Sequence, residues 1–223
     1  CHYNLAIELL KEKRTNEAIS HYEQAIVIRP GYVDAHYNLA NVLANEGRTD
    51  DAIAHYHIVM ELDPNHVSAR NNLGNLLRDL GRGDEAIDLY QQALAIQPDF
   101  IPAMMGIGNV HVQRNQVEAA ETWFRRILDV DPDHVEARMN LAHMLAEQHQ
   151  VQAALREYRR AAAQRPEMAQ TMYTVGKTFA AKDRLDEAIE YLDLALELKP
   201  NFPLAQQERQ RVINRRASLG GKN

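Results

Sequence analysis

The chain has 223 residues, 45% of them hydrophobic, and a formal net charge of −6. That balance supports a folded protein, disfavours a nucleic-acid surface and, with no long apolar run, leaves no candidate membrane span. The one cysteine, Cys1, cannot close an internal disulfide, so nothing marks an oxidising compartment.

A chain that begins on Cys1 without methionine reads as a portion of a longer polypeptide. Cys1 as a lipid-bearing residue stays open, because the upstream signal that would test it is not in the sequence. Prolines recur at Pro30, Pro64, Pro98, Pro132, Pro166 and Pro200, each 34 residues after the last. Self-similarity at that period predicts a stack of short helical units rather than one globular core. With the proline as position 32, the units are residues 1–32, 33–66, 67–100, 101–134, 135–168 and 169–202.

Each unit opens with a predicted helix A whose apolar stripe falls at positions 4, 7, 8 and 11, the spacing of one buried face. Position 7 is Leu5, Leu39, Leu73, Ile107, Leu141 and Val175; position 8 is Ala6, Ala40, Gly74, Gly108, Ala142 and Gly176. Helix A stops at position 15, which is Lys13, Gly47, Gly81, Asn115, His149 and Asp183. All but Lys13 tolerate a left-handed backbone better than most residues. Asn16, Asp50, Asp84 and Asp186 then stand where a second helix, B, needs a cap. Helix B carries alanine at position 20 in all six units: Ala18, Ala52, Ala86, Ala120, Ala154 and Ala188. Position 24 is Tyr22, Tyr56, Tyr90, Phe124, Tyr158 and Leu192, a large residue set between small ones. The proline at position 32 ends helix B. Beyond it, residues 203–217 predict a capping helix opened by Pro203, with Leu204, Ala205, Val212 and Ile213 as its apolar face and five charged residues opposite. Residues 218–223 read as a flexible tail, and the alternative for the basic helix is an acidic partner.

The small residue at position 8, alanine at 20, aromatic at 24 and proline at 32 resemble the tetratricopeptide repeat family over residues 1–202. The resemblance implies an all-α fold, a right-handed superhelical solenoid of antiparallel helix pairs, whose helix A faces line a concave surface. The frequent tryptophan of position 4 is replaced by His2, His36, Arg70, Met104, Arg138 and Met172. The fourth unit departs furthest, with Gly106 at position 6 and His111 at position 11.

Positions 6 and 9 fall opposite the stripe of helix A. They read Asn4 and Ile7; Asn38 and Asn41; Asn72 and Asn75; Gly106 and Asn109; Asn140 and His143; Thr174 and Lys177. An amide offers an acceptor and two N–H donors, the complement of a peptide group, so this file can hold an extended protein segment by its main chain. Inter-repeat bonding or solvated surface is the other reading of the same residues. On the first, Asn72→Ala with Asn75→Ala weakens a partner and leaves the helical melt nearly unchanged. The file also resembles the repeat domain of the protein O-linked N-acetylglucosamine transferases, which Asn4, Asn38, Asn72 and Asn140 match at position 6 and Gly106 and Thr174 break. That resemblance implies a substrate-recognition arm of a larger enzyme. Position 5 flanks the file with Tyr3, Tyr37, Asn71, Met105, Met139 and Tyr173. Tyr37, Met105, Met139 and Tyr173, with the gap left by Gly106, are candidates for a side-chain pocket, against simple packing of the methionines.

Other signals are set aside. The two-carboxylate clamp of the family's chaperone-tail type keeps its amides in Asn41 and Asn72 and loses every cation. His55 and His57 diverge on a helix, His66 and His134 occupy one turn position, and no metal site is expected. Arg82-Gly83-Asp84 is the turn into helix B. No phosphate loop, nucleophile elbow or paired-cysteine motif occurs, so no cofactor and no catalysis are expected. The partners expected are a protein or peptide, with self-association through the solenoid ends as a further possibility.

Overall fold

The structure is a computed structural model that describes residues 2–220. Cys1 and residues 221–223 of the expected tail lie outside the described residues. Among the described residues there are helices and no strands. Helix A of the six repeats is α1 (His2–Lys11), α3 (Val33–Asn45), α5 (Val67–Asp79), α7 (Ile101–Gln113), α9 (Val135–Glu147) and α11 (Ala169–Ala181). Helix B is α2 (Thr15–Ile28), α4 (Thr49–Leu62), α6 (Gly83–Ile96), α8 (Val117–Val130), α10 (Val151–Ala162) and α12 (Leu185–Leu198), and α13 (Pro203–Gly220) follows. The helices fall into two compact units, Cys1–Trp123 and Phe124–Asn223, with the boundary inside α8.

Every turn from helix A to helix B has the same geometry. Position 15 is left-handed in all six, including Lys13 at φ 61° and His149 at φ 60°. The next residue then reaches back to a carbonyl near the end of helix A: Arg14 N to Leu9 O at 2.9 Å, Arg48 N to Leu43 O at 2.9 Å, Arg82 N to Leu77 O at 2.8 Å. A left-handed residue followed by this long backward bond satisfies carbonyls that a helix end otherwise orphans. The caps of helix B differ from the sequence expectation. Arg14, Arg48, Arg82 and Arg184 hold the cap position without a side-chain cap bond. Asn16, Asp50, Asp84 and Asp186 sit one step inside the helix, where the three aspartates favour the helix dipole instead of capping it.

The core follows the stripe. All six alanines of position 20 are fully buried, as are Tyr22, Tyr56, Tyr90 and Phe124 at position 24. Leu39, Leu73 and Ile107 are each 1% exposed, whereas Leu5 in the same register is 45% exposed. In the first unit α2 packs on α3, α4 on α5 and α6 on α7, so that each helix B meets the next helix A.

The second unit departs from that rule. Helix α10 ends at Ala162 and a 3-10 turn, Pro166–Met168, leads into α11. Beyond its pairing with α9, helix α10 packs on α12, with Tyr158 edge-on to Tyr191 at 5.8 Å and Arg159 paired with Glu197 at 3.1 Å. Helix α13 lies along α12 with Ala205 and Val212 buried. Leu204, expected on that face, is exposed. The arginines of α13 are turned to acids: Arg216 to Asp186 at 2.6 Å, Arg209 to Asp193 and Arg215 to Asp183. They act as the cap's clasp on the last repeat. The helix also runs beyond residue 217, because Ser218 keeps the local bonding with its hydroxyl on the Arg215 carbonyl at 2.7 Å.

Candidate functional site

The amides of the first unit are tied to tyrosines. Asn38 Nδ2 donates to the Tyr3 hydroxyl at 2.9 Å, and one repeat later Asn72 Nδ2 donates to the Tyr37 hydroxyl at 3.0 Å. Position 6 of one repeat is thereby bonded to position 5 of the repeat before it. Asn72 Nδ2 also donates to Asn41 Oδ1 at 2.9 Å, and its own oxygen accepts from Asn71 at 3.3 Å.

Position 9 is served from helix B. The Tyr56 hydroxyl donates to Asn41 Oδ1 at 2.6 Å, and the Tyr90 hydroxyl donates to Asn75 Oδ1 at 2.7 Å. Arg78, which can only donate, adds a contact of 3.3 Å to the same oxygen of Asn75 and so sets which way that amide faces. Both tyrosine rings lie in the core, and burial pushes each phenol up to about 12. The Tyr90 ring also decides what surrounds it. A Cβ on Gly74 would come within 2.7 Å of it, and one on Gly106 within 2.4 Å. The gap expected at Gly106 is therefore filled by Tyr90.

The remaining donors face a pocket of about 390 Å³ lined by Asn41, Ala44, Asn45, Tyr56, Asn72, Asn75, Leu76 and Asp79. The oxygens of Asn41 and Asn75 are consumed inside the protein, while their Nδ2 groups make no bond among the described residues. Its floor is Ala44 and Leu76, and at one edge Asp79 is paired with Arg78 at 2.9 Å. Such a surface offers N–H groups over a small apolar floor. Asn72 is nearly saturated, so the double alanine substitution of Asn72 and Asn75 costs fold stability as well as donors.

Of the other expected residues, Tyr37 enters this network through its hydroxyl and the rest form no hydrogen bond with it among the described residues. Asn4 is exposed and lines a separate pocket of about 320 Å³ with Tyr3, Arg29 and Tyr32. Tyr37 packs its ring against Tyr56 at 6.4 Å and His66 at 4.8 Å. Met105 is buried, and Asn109 is half-buried without a side-chain hydrogen bond among the described residues. In the second unit Met139 and Asn140 are half-buried and His143 is exposed. Lys177 stands 5.5 Å from the Tyr173 ring, and Tyr173 packs on Phe202 at 5.3 Å. Among the described residues no group of three His, Cys, Asp or Glu side chains is placed to hold a metal. His66 and His134 are caps, each Nδ1 accepting from a backbone N–H of the helix it opens at 3.1 Å.

Models of the tetratricopeptide repeat match residues 32–99, 77–143 and 142–203, and a TPR repeat model matches residues 6–47. The chain belongs to the tetratricopeptide repeat family. Among solved structures it is similar to YrrB, described as a TPR protein with an unusual peptide-binding site. That match has 26% identity over 85% of this chain and 97% of YrrB, with a TM-score of 0.62. Pseudomonas aeruginosa PilF matches at 21% identity over 94% of this chain and 96% of its own, with a TM-score of 0.71. MamA from Desulfovibrio magneticus RS-1 matches at 19% identity over 73% and 92%, with a TM-score of 0.65. The last two show the fold alone. No curated protein sequence matches the chain significantly. Tetratricopeptide repeat chains are in general modules of protein interaction, and no helix among the described residues is long and apolar enough to cross a membrane.

Proposed function

We propose that this tetratricopeptide repeat chain is a non-catalytic scaffold that holds an extended segment of a partner protein against helices α3 and α5. The observation that carries the reading is the locked pair Asn41 and Asn75, whose oxygens are taken by Tyr56 and Tyr90 and whose Nδ2 donors are left toward the pocket. Donors in that arrangement suit the main-chain carbonyls of a guest, and the Ala44 and Leu76 floor suits a small apolar side chain. YrrB's description as a peptide-binding repeat protein supports the class of ligand. Since amides exert no long-range attraction, contact follows encounter rather than steering it, and association should depend little on salt.

The test blocks the pocket without touching the hydrogen-bond network. Twelve-residue random peptides displayed on phage are selected on the intact chain and then measured against Ala44→Arg, which places a long side chain in the pocket. The expected result is at least a tenfold loss of affinity, about 1.4 kcal/mol. Failure to select any peptide above background, or peptides indifferent to the substitution, contradicts the reading.

A further inference from the structure

Helix A and helix B of the first two repeats meet through pairs of histidines. His36 Nδ1 lies 2.9 Å from His55 Nδ1 with ring centroids 5.1 Å apart, and His2 and His21 repeat the arrangement at 2.8 Å and 5.0 Å. In the fifth repeat the same two positions hold Arg138 and Glu157, an ion pair at 2.6 Å. In the sixth they are Met172 and Tyr191, both fully buried. The slot that receives tryptophan in much of the family is thus titratable on both sides in two consecutive repeats.

Proton positions follow from the partners. His36 Nε2 is 2.9 Å from the Pro30 carbonyl oxygen, which only accepts, so this nitrogen carries the hydrogen and Nδ1 of the neutral ring is a lone pair. His55 must then direct its own Nδ1–H at that lone pair. A first added proton goes to the outer nitrogen of His55 and keeps the bond. A second has only His36 Nδ1 to occupy, which sets two N–H groups and two positive charges face to face. The charged groups acting on His55 are Asp51, which favours its protonation, and Arg48, which opposes it, and these two are paired at 2.7 Å. Burial and then His36 hold His55 below the usual histidine range. Beside His21 the facing charge is Glu17, paired with Arg14 at 2.6 Å.

We propose that the histidine pairs make the joint between helix A and helix B acid-labile in the first two repeats, each pair holding at most one proton while closed and two once open. A closed pair binds its second proton less readily than free imidazoles do. Its stabilising contribution is therefore whole above about pH 6.5 and is lost as the pH falls below that value. Tyr3 and Tyr37 adjoin His2 and His36 and hold Asn38 and Asn72, so opening also loosens the groove. Release of a guest in acid rests on the groove reading above; the opening itself does not.

The experiment uses the full chain without any guest. Ring resonances followed by NMR from pH 8 to 5, assigned with single variants, should show one ring of each pair taking up a proton before the other. The other should stay neutral until amides of α1–α4 lose hydrogen-exchange protection. At fixed urea the folded-to-unfolded ratio of the first unit should fall up to tenfold per pH unit for each pair between about pH 6 and 5. His36→Met with His55→Tyr, which places the sixth repeat's residues in the second, should remove one such tenfold factor. His55→Leu, after Leu89 of the third repeat, makes the same test without a new aromatic ring. Independent titration of all four rings in the ordinary range, or a pH profile unchanged in both variants, overturns the proposal. Should both variants misfold, the ring titration of the unaltered chain decides it.

Discussion

In the first unit the first three repeats are joined on the groove side by neutral groups, Asn38 to Tyr3 and Asn72 to both Tyr37 and Asn41, and an ion pair, Arg114 to Asp84 at 2.7 Å, ties the fourth repeat to the third. In the second, the fifth and sixth repeats are joined by charges, Arg159 to Glu197 at 3.1 Å and Lys182 to Glu147 at 2.8 Å, with the Arg184 guanidinium on the Ala146 carbonyl at 2.6 Å. One repeat register therefore accepts either kind of link, and the choice has a functional consequence. A neutral link on the groove side consumes amide oxygens and leaves N–H donors for a guest. Links between long charged side chains are mostly exposed, so they are screened by salt and contribute little each.

The largest expected effect lies in the second unit. Arg138→Met leaves Glu157, whose side chain is only 14% exposed, with Arg160 alone and should cost about 3 kcal/mol in urea unfolding. Adding Glu157→Tyr, to reproduce the Met172 and Tyr191 pair, should restore most of it, since well-packed apolar pairs often match buried ion pairs. In the first unit Gly106→Ala should cost about 2 kcal/mol, because its Cβ would press on the ring of Tyr90. Smaller again, Tyr56→Phe and Tyr90→Phe should each cost about 1 kcal/mol by removing the hydroxyl from Asn41 or Asn75.

The same tyrosines set an alkaline limit. Their folded-state ionisation is raised from 10 to about 12 by burial, so their contribution is whole below pH 10 and is lost as the pH rises toward 12. The two phenylalanine variants should flatten that fall in a pH series of urea midpoints. The smallest effect is that of salt. Raising sodium chloride should weaken the links of the second unit by less than about 1 kcal/mol each and leave the amide links of the first unchanged.

The helix pairs were legible because their causes are periodic: alanine at position 20, a large ring at 24 and proline at 32 recur in register. Position 15 was legible even where its residue was poor, since Lys13 adopts the left-handed backbone that the turn itself imposes. The caps were misplaced by two residues because aspartate in the first turn and aspartate at a cap look alike in sequence. The amide file was visible, but its internal partners were not, because Tyr56 and Tyr90 read as plain core residues. A signal did exist. Only the second and third repeats combine asparagine at position 9 with tyrosine at 24, and those are the two that form the hydroxyl-to-amide bond. The packing of α10 on α12 had no such signal, since the repeated ring of Tyr158 meets there Tyr191, at a position that keeps no one residue type across the repeats, beside the Arg159 and Glu197 pair.

Asn41→Asp with Asn75→Asp keeps the oxygens that Tyr56 and Tyr90 need and replaces the donors that face the pocket. Calorimetric titration of this variant with a peptide selected on the unaltered chain, beside its urea midpoint, separates recognition from folding. The account predicts a midpoint close to that of the unaltered chain and binding weakened at least tenfold. Binding retained in the folded variant would contradict it.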